Sequence, residues 1–210
     1  MTIIHDNDAT QSIIGTSAND VIYGGSAESA LSGTGDDFIS GGNGIDTLHG
    51  GDGDDTLSGG DSDRGPSGGD SLDSLIGGTG NDTYRLTEYN HDTGRDYVVE
   101  LTDEGIDTVV INDHYTLGAN VENLILPDSI YYWGSALRGI GNALDNVITG
   151  GDPGLYFDGS NSLNGAGGND TLIGNGGDDT LVGDAGDDSL IGGTGADSLV
   201  GDTGNDSLIG

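Results

Sequence analysis

Aspartate recurs through this chain in a fixed local setting. In GGNGIDTLH (Gly41 to His49) and the adjoining GGDGDDTLS (Gly50 to Ser58), the sixth position is Asp46 or Asp55, two residues ahead of a large apolar residue, Leu48 or Leu57. The same slot holds Asp20, Asp37, Asp73 and Asp82 in the N-terminal half, and Asp170, Asp179, Asp188, Asp197 and Asp206 in the C-terminal half. Carboxylates repeated at this spacing, beside glycines whose carbonyls no side chain shields, make a donor set of hard oxygens. Such a set suits calcium, which takes about six to eight oxygens with tolerant geometry, better than magnesium with its tight octahedron. The chain has no cysteine, which excludes thiolate zinc sites and disulfide staples.

Catalytic chemistry finds little support beside this. His5, His49, His91 and His114 are scattered, with no HExxH pair to hold zinc, and no GxSxG elbow is present. Gly69-Asp70-Ser71-Leu72 spells the motif of a lipase and esterase family, but it falls in phase with the repeat and no helix follows it. GxGxxG-like strings arise in any glycine-rich repeat, and no stretch has the acidic spacing and closing Glu of an EF-hand. The expectation is a chain without catalytic residues, in which calcium is structural.

The aspartates must be positioned by elements of unusual composition. Of 210 residues, 37 are acidic and 4 basic, giving a net charge of −33 that excludes nucleic acid and anionic membranes as partners. Only 32% of residues are apolar and 43 are glycine, so composition alone predicts disorder unless something besides a large core drives folding. No run approaches the ~20 apolar residues of a membrane span. Met1 to Asp8 has neither a basic region nor an apolar run, so no cleaved signal is expected there.

The frame GGxGxDxUx, with U a large apolar residue, reads as one turn and one short strand. Units begin at Gly15, Gly24, Gly33 (one residue short), Gly41, Gly50, Gly59 (degenerate), Gly68 and Gly77, and again at Gly165, Gly174, Gly183, Gly192 and Gly201. Two units make a coil of eighteen residues whose strands stack at about 4.8 Å. The predicted fold is all-β: a parallel β-roll of two short-strand sheets. The organisation is a lead-in over 1–14, a first repeat block over 15–85, a β-rich connecting segment over 86–140, an irregular transition over 141–164 and a second repeat block over 165–210. Within the connecting segment, the runs Tyr97 to Leu101, Thr108 to Ile111 and Val121 to Leu126 are expected to continue the solenoid in longer coils.

Taking every second unit, one edge of the first block carries Asp20, Asp37, Asp55 and Asp73, and the other Ser29, Asp46, Arg64 and Asp82. In the second block the edges carry Asp170, Asp188 and Asp206, and Asp179 and Asp197. Like charges about 5 Å apart repel by roughly 3 kcal/mol at an effective dielectric near 20, and a cation between turns reverses the sign. The pairs 20/37, 37/55, 55/73, 170/188, 188/206 and 179/197 predict about six calcium sites, with weaker ones beside Ser29 and Asn161. Arg64 either replaces a calcium ion or lies in a looped-out unit, since Pro66 occupies the U slot there.

These nonapeptides resemble the repeats of RTX (repeats-in-toxin) proteins. The stretches Glu104 to Leu126 and Gly139 to Gly151 resemble the connecting segment between repeat blocks in that family, including the C-terminal region of serralysin-type proteases. The resemblance implies a secreted bacterial protein exported by a type I system through an uncleaved C-terminal signal, and folding triggered by external calcium. Because proteases, lipases, epimerases, adhesins and toxins carry such rolls, the expected function is a non-catalytic calcium-binding roll. The alternatives are the calcium-stabilised C-terminal portion of a secreted enzyme, or an adhesion module. The sequence stops at Gly210 inside a repeat, from which a truncated or degenerate end of the roll is expected.

Two further surfaces stand out. The ninth slots of the second block place Ile173, Ile191 and Ile209 in one outward column and Val182 and Val200 in another. They predict a docking or self-association face, or else reflect strand propensity alone. Tyr131, Tyr132 and Trp133 form either a sugar-stacking platform or aromatic packing in place of calcium turns.

Overall fold

The computed structural model describes residues 2–5, 12–14, 20–23, 29–31, 33–42, 45–60, 72–86, 96–127, 136–152 and 159–210, the first four segments as backbone only. Arg64, Pro66, Gly69 to Ser71 and Tyr131 to Trp133 lie outside them. Every described element is a strand, so no helix among these residues is long and apolar enough to cross a membrane. The chain divides into two compact units, Met1–Asp107 and Thr108–Gly210.

In the first unit the strands are β1 (Thr2–His5), β2 (Ser12–Ile14), β3 (Asp20–Tyr23), β4 (Ser29–Leu31) and β5 (Phe38–Ser40), followed by β6 (Thr47–Asp52), β7 (Thr56–Ser58), β8 (Ser74–Thr79), β9 (Thr83–Leu86) and β10 (Tyr97–Val99). Odd-numbered strands stack in one parallel sheet and even-numbered strands in the other, the arrangement expected when one unit supplies each sheet in turn. The segment read as a lead-in contributes β1 and β2 to these sheets. Along each strand the U residue points inward between two outward neighbours, and Ile39, Leu48, Leu57, Leu75 and Tyr84 are fully buried.

One expected register is corrected. Leu48 pairs with Leu75 and Leu57 with Tyr84, a step of 27 residues in place of 18. Three units' worth of chain separates these neighbours, so one unit between them adds no strand to either stack. The degenerate unit from Gly59 is the one whose U slot is Pro66, which has no N–H to donate to a ladder. The pair Asp55/Asp73 therefore does not form, and the two edges exchange partners beyond it.

The second unit holds β11 (Thr108–Ile111), β12 (Tyr115–Thr116), β13 (Asn123–Ile125), β14 (Leu137–Ile140), β15 (Val147–Thr149) and β16 (Asn161–Asn164), then β17 (Thr171–Gly176), β18 (Thr180–Val182), β19 (Ser189–Thr194), β20 (Ser198–Val200) and β21 (Ser207–Ile209). The same alternation continues, with β11, β13, β15, β17, β19 and β21 in one parallel sheet and β12, β14, β16, β18 and β20 in the other. From β13 to β15 and from β15 to β17 the register advances 24 residues, and thereafter 18. The connecting segment is thus a solenoid of longer coils, as its β-rich runs predict. Val109, Leu124, Ile148, Leu172 and Leu190 line one inner face and Leu163 and Leu181 the other, each at most 1% exposed. In the final coil, which has a neighbour on one side only, Leu208 is 46% exposed.

Candidate metal centre

The turns between strands are set by backbone conformations that few side chains permit. At the fourth slot Gly53 has φ +128°, and a Cβ there would sit 2.6 Å from the carbonyl carbon and oxygen of Gly35 in the preceding coil. Only glycine fits both the torsion and the contact. Stacking turns this closely brings the sixth-slot aspartates of successive coils together.

Each of these aspartates uses its two oxygens differently. Oδ1 accepts a hydrogen bond from the backbone N–H of the sixth-slot residue one coil earlier: Asp37 N–H donates to Asp55 (2.8 Å), Asp46 to Asp73 (2.8 Å), Asp55 to Asp82 (2.7 Å), Asp170 to Asp188 (2.8 Å), Asp179 to Asp197 (3.0 Å) and Asp188 to Asp206 (3.0 Å). The other oxygen, Oδ2, turns into the coil edge. In Asp55, Asp82, Asp170, Asp179 and Asp188 it is buried and has no hydrogen-bond partner. A buried, unsatisfied carboxylate oxygen is costly, and its presence at five equivalent places points to a missing counter-charge.

The surroundings of Oδ2 identify that counter-charge. A Cβ built on Gly174 would meet Asp179 Oδ2 and, at 2.6 Å, the carbonyl oxygen of Gly192 in the next coil. The first-slot glycines Gly41, Gly50 and Gly183 face the same combination of their own unit's Asp Oδ2 and a glycine carbonyl one coil on. Carboxylate and carbonyl oxygens with no donor between them repel each other, whereas a hard cation would satisfy both. Calcium fits this all-oxygen donor set.

The electrostatics agree. Burial pushes the carboxyls of Asp55 and Asp82 up to about 7, and those of Asp170 and Asp179 up to about 6, with neighbouring carboxylates adding to the effect. Without a cation these groups hold protons that ordinary aspartates release. A second ladder runs along the fifth slots in the opposite sense. There Asp54 N–H donates to Asp36 Oδ1, Asn81 N–H to Asp54 Oδ1, Asp187 N–H to Asn169 Oδ1 and Asn205 N–H to Asp187 Oδ1.

Of the expected ligands, Asp37, Asp46, Asp55, Asp73, Asp82, Asp170, Asp179 and Asp188 are buried, at 1 to 3% exposure. Asp197 and Asp206 are half-buried in the last coils. The Asp20 backbone lies in β3, where its neighbour Val21 pairs with Phe38, and its side chain lies outside the described residues. The second-block pairs and 37/55 come together as expected, while 46/73 and 55/82 replace 55/73. Asn161 is no weakened site: its Nδ2 donates to the carbonyls of Gly151 (3.2 Å) and Gly159 (2.5 Å), so amide protons stand where a cation would.

Sequence reasoning missed three acids. Asp96 and Asp107 continue the two edges, accepting from Asp73 N–H (3.1 Å) and Asp82 N–H (2.8 Å), and Glu100 joins Asp82 and Asp107 in one buried group. A signal existed, because Gly105-Ile106-Asp107-Thr108 repeats Gly44-Ile45-Asp46-Thr47 letter for letter. Their spacings of 23 and 25 residues hid them from a search in steps of eighteen.

Compared with known families, the chain matches the RTX calcium-binding nonapeptide repeat (4 copies) over residues 6–27, 31–63, 67–85, 156–190 and 191–210, more than half of its length. No curated protein matches it. Parallel stacking of nine-residue units, with unsatisfied carboxylate oxygens aimed at glycine carbonyls across each coil edge, is what such repeats need in order to hold calcium, and the chain belongs to the RTX calcium-binding nonapeptide repeat family.

Proposed function

We propose that this chain is a non-catalytic, extracellular calcium-binding β-roll that folds when it meets millimolar calcium after type I export. The observation that supports it is the set of buried Oδ2 atoms in Asp55, Asp82, Asp170, Asp179 and Asp188, each without a hydrogen-bond partner. Calcium does no chemistry on a substrate here; it would neutralise the coil edges and lock successive turns in register. Asp pairs 37/55, 46/73, 55/82, 170/188, 188/206 and 179/197 supply about six sites of this kind. In the metal-free chain their mutual repulsion opposes the stacking that the small core favours.

The test is far-UV circular dichroism during a calcium titration, with magnesium as control and calorimetric counting of bound ions. A coil-to-β transition between about 0.1 and 1 mM calcium, the range of extracellular modules, is the expected outcome. A chain already fully folded in chelator would overturn the reading.

A second reading, the calcium-stabilised C-terminal portion of a secreted enzyme such as a protease, lipase or epimerase, draws support from the likeness of Glu104 to Leu126 and Gly139 to Gly151 to a serralysin-type connecting segment. A reading frame continuing upstream of Met1 into a catalytic domain would favour it. In either case the second block offers a docking or self-association face. Its register aligns Ile173, Ile191 and Ile209 in one outward column and Val182 with Val200 in another. Val200→Lys should then lower calcium-induced association in sedimentation, and an unchanged sedimentation profile would leave these columns as ordinary strand surface.

A further inference from the structure

At the end of the first unit, a coil that belongs to no nonapeptide folds against the last repeat. This coil runs from β10 to Asp107 and lies beyond residue 85, where the family match in this half of the chain stops. It brings Glu100 and Asp107 to Asp82, and carboxylate oxygens from all three lie within 4.8 Å of one another. The residues are 6%, 1% and 1% exposed, respectively.

The space between them is built by Gly77. A Cβ at that position would meet Asp82 Oδ2, the Tyr84 hydroxyl and, at 2.6 Å, Glu100 Oε1. At the other first-slot glycines the partner from the next coil is a glycine carbonyl; at Gly50, for example, it is the carbonyl of Gly77. Here a full carboxylate takes the carbonyl's place. Asp82 Oδ2 is buried, has no hydrogen-bond partner and points into this space. Tyr84, the inward residue of β9, donates its hydroxyl to Glu100 Oε1 and so fixes the direction of that carboxylate.

We propose that Asp82, Glu100 and Asp107 form a cation site distinct in composition from the repeat sites, closing the first repeat block and taking calcium or a trivalent lanthanide of similar size. The inference rests on the calcium reading of the repeats but adds to it ligands from outside them. Three carboxylates against the two of a repeat pair give the site the higher negative charge, and calcium sites tighten with ligand charge. Binding there would tie the coil carrying Glu100 and Asp107 to the last nonapeptide, and trivalent ions would gain most. Tyr84, hydrogen-bonded to a ligand, is placed to transfer excitation to a luminescent lanthanide.

The experiment compares calcium stoichiometry by calorimetry in the wild-type chain and in Glu100→Gln, with circular dichroism confirming that both fold in calcium. Glu100 contributes to no repeat pair, so the expected result is a loss of about one ion with the remaining sites in place. An unchanged ion count would overturn the proposal while leaving the repeat sites intact. A wild-type chain that binds no calcium would instead sink the underlying reading. If Glu100→Gln does not fold, terbium luminescence excited through tyrosine decides. Loss in Tyr84→Phe of a component that titrates as about one ion supports the site, and identical emission from wild type and variant overturns it.

Discussion

Within the second unit, the same slot is filled in two ways. Asp170, Asp179 and Asp188 in the 18-residue coils, and Asn146 and Asn161 in the 24-residue coils, are all buried to 3% exposure or less. Each also takes the same place in the backbone ladder: Asn146 N–H donates to Asp170 Oδ1 (2.8 Å) and Asn161 N–H to Asp179 Oδ1 (2.7 Å), as Asp170 N–H donates to Asp188. The difference is one heavy atom. In the aspartates it is Oδ2, left without a partner among carbonyl oxygens. In Asn146 it is Nδ2, donating to the carbonyl of Glu122 (3.1 Å) and to Asn142 Oδ1 (3.2 Å). Replacing an oxygen by an amide nitrogen converts a site that needs a cation into one that satisfies itself, so coils of one solenoid can differ in their need for metal.

The largest effect should come from calcium removal. At a free concentration near 100 times its dissociation constant, each ion bound only to the folded state contributes about 2.7 kcal/mol. Chelation should therefore release the coils from Thr171 onward while those carrying Leu124 and Ile148 keep their amide protection in hydrogen exchange. Uniform loss or uniform retention of protection across both regions would break the contrast between them.

Gly174→Ala comes next. Its methyl group would fill the space shared by Asp179 Oδ2 and the Gly192 carbonyl. The expected outcome is one fewer calcium ion by calorimetry and a further loss of about 1 to 3 kcal/mol from overpacking, read from denaturant unfolding in calcium. Asn146→Asp probes the comparison from the other side by removing the amide donors. In chelator it should cost about 1 to 3 kcal/mol, as expected for buried carbonyls losing their partners. Calcium should restore part of that loss and add an ion to the count; equal loss with and without calcium would show that the slot alone does not make a site.

The smallest effect is that of pH on the metal-free chain. Asp55 and Asp82 titrate near 7 and Asp170 and Asp179 near 6 when folded, all raised chiefly by burial, against an ordinary value of 3.8. Between about pH 4 and pH 7 the folded chain thus holds more protons than the unfolded one, and its stability falls as pH rises through that window. In chelator, thermal unfolding at pH 5 should occur at a higher temperature than at pH 8. Saturating calcium should flatten or reverse this trend, because the ion competes with the same protons.

The repeat itself was legible at the level of single residues. Glycine at the turn slots, Asp at the sixth and a large apolar residue at the eighth fix which side chains point inward, because each nine-residue unit closes its turn and strand locally. Ile39, Leu48, Leu57, Leu75 and Tyr84 are buried as that phase requires. The GIDT string at 105–108 carried the same local information in the connecting segment, and only the search step concealed it.

What the sequence by itself determined, then, is the in-and-out pattern of each unit and the kind of ion it suits, since both depend on residues a few positions apart. Which coils become neighbours was decided by the tertiary structure. The 27-residue step from Leu48 to Leu75 shifts Asp73 from Asp55 to Asp46, and the 25-residue step from Asp82 to Asp107 carries Glu100 into the Gly77 space. Stacking depends on how much chain loops out between strands, and loop-closure free energy changes only slowly with length. Local periodicity therefore sets what each edge position offers, while the lengths of the intervening coils set which carboxylates share an ion.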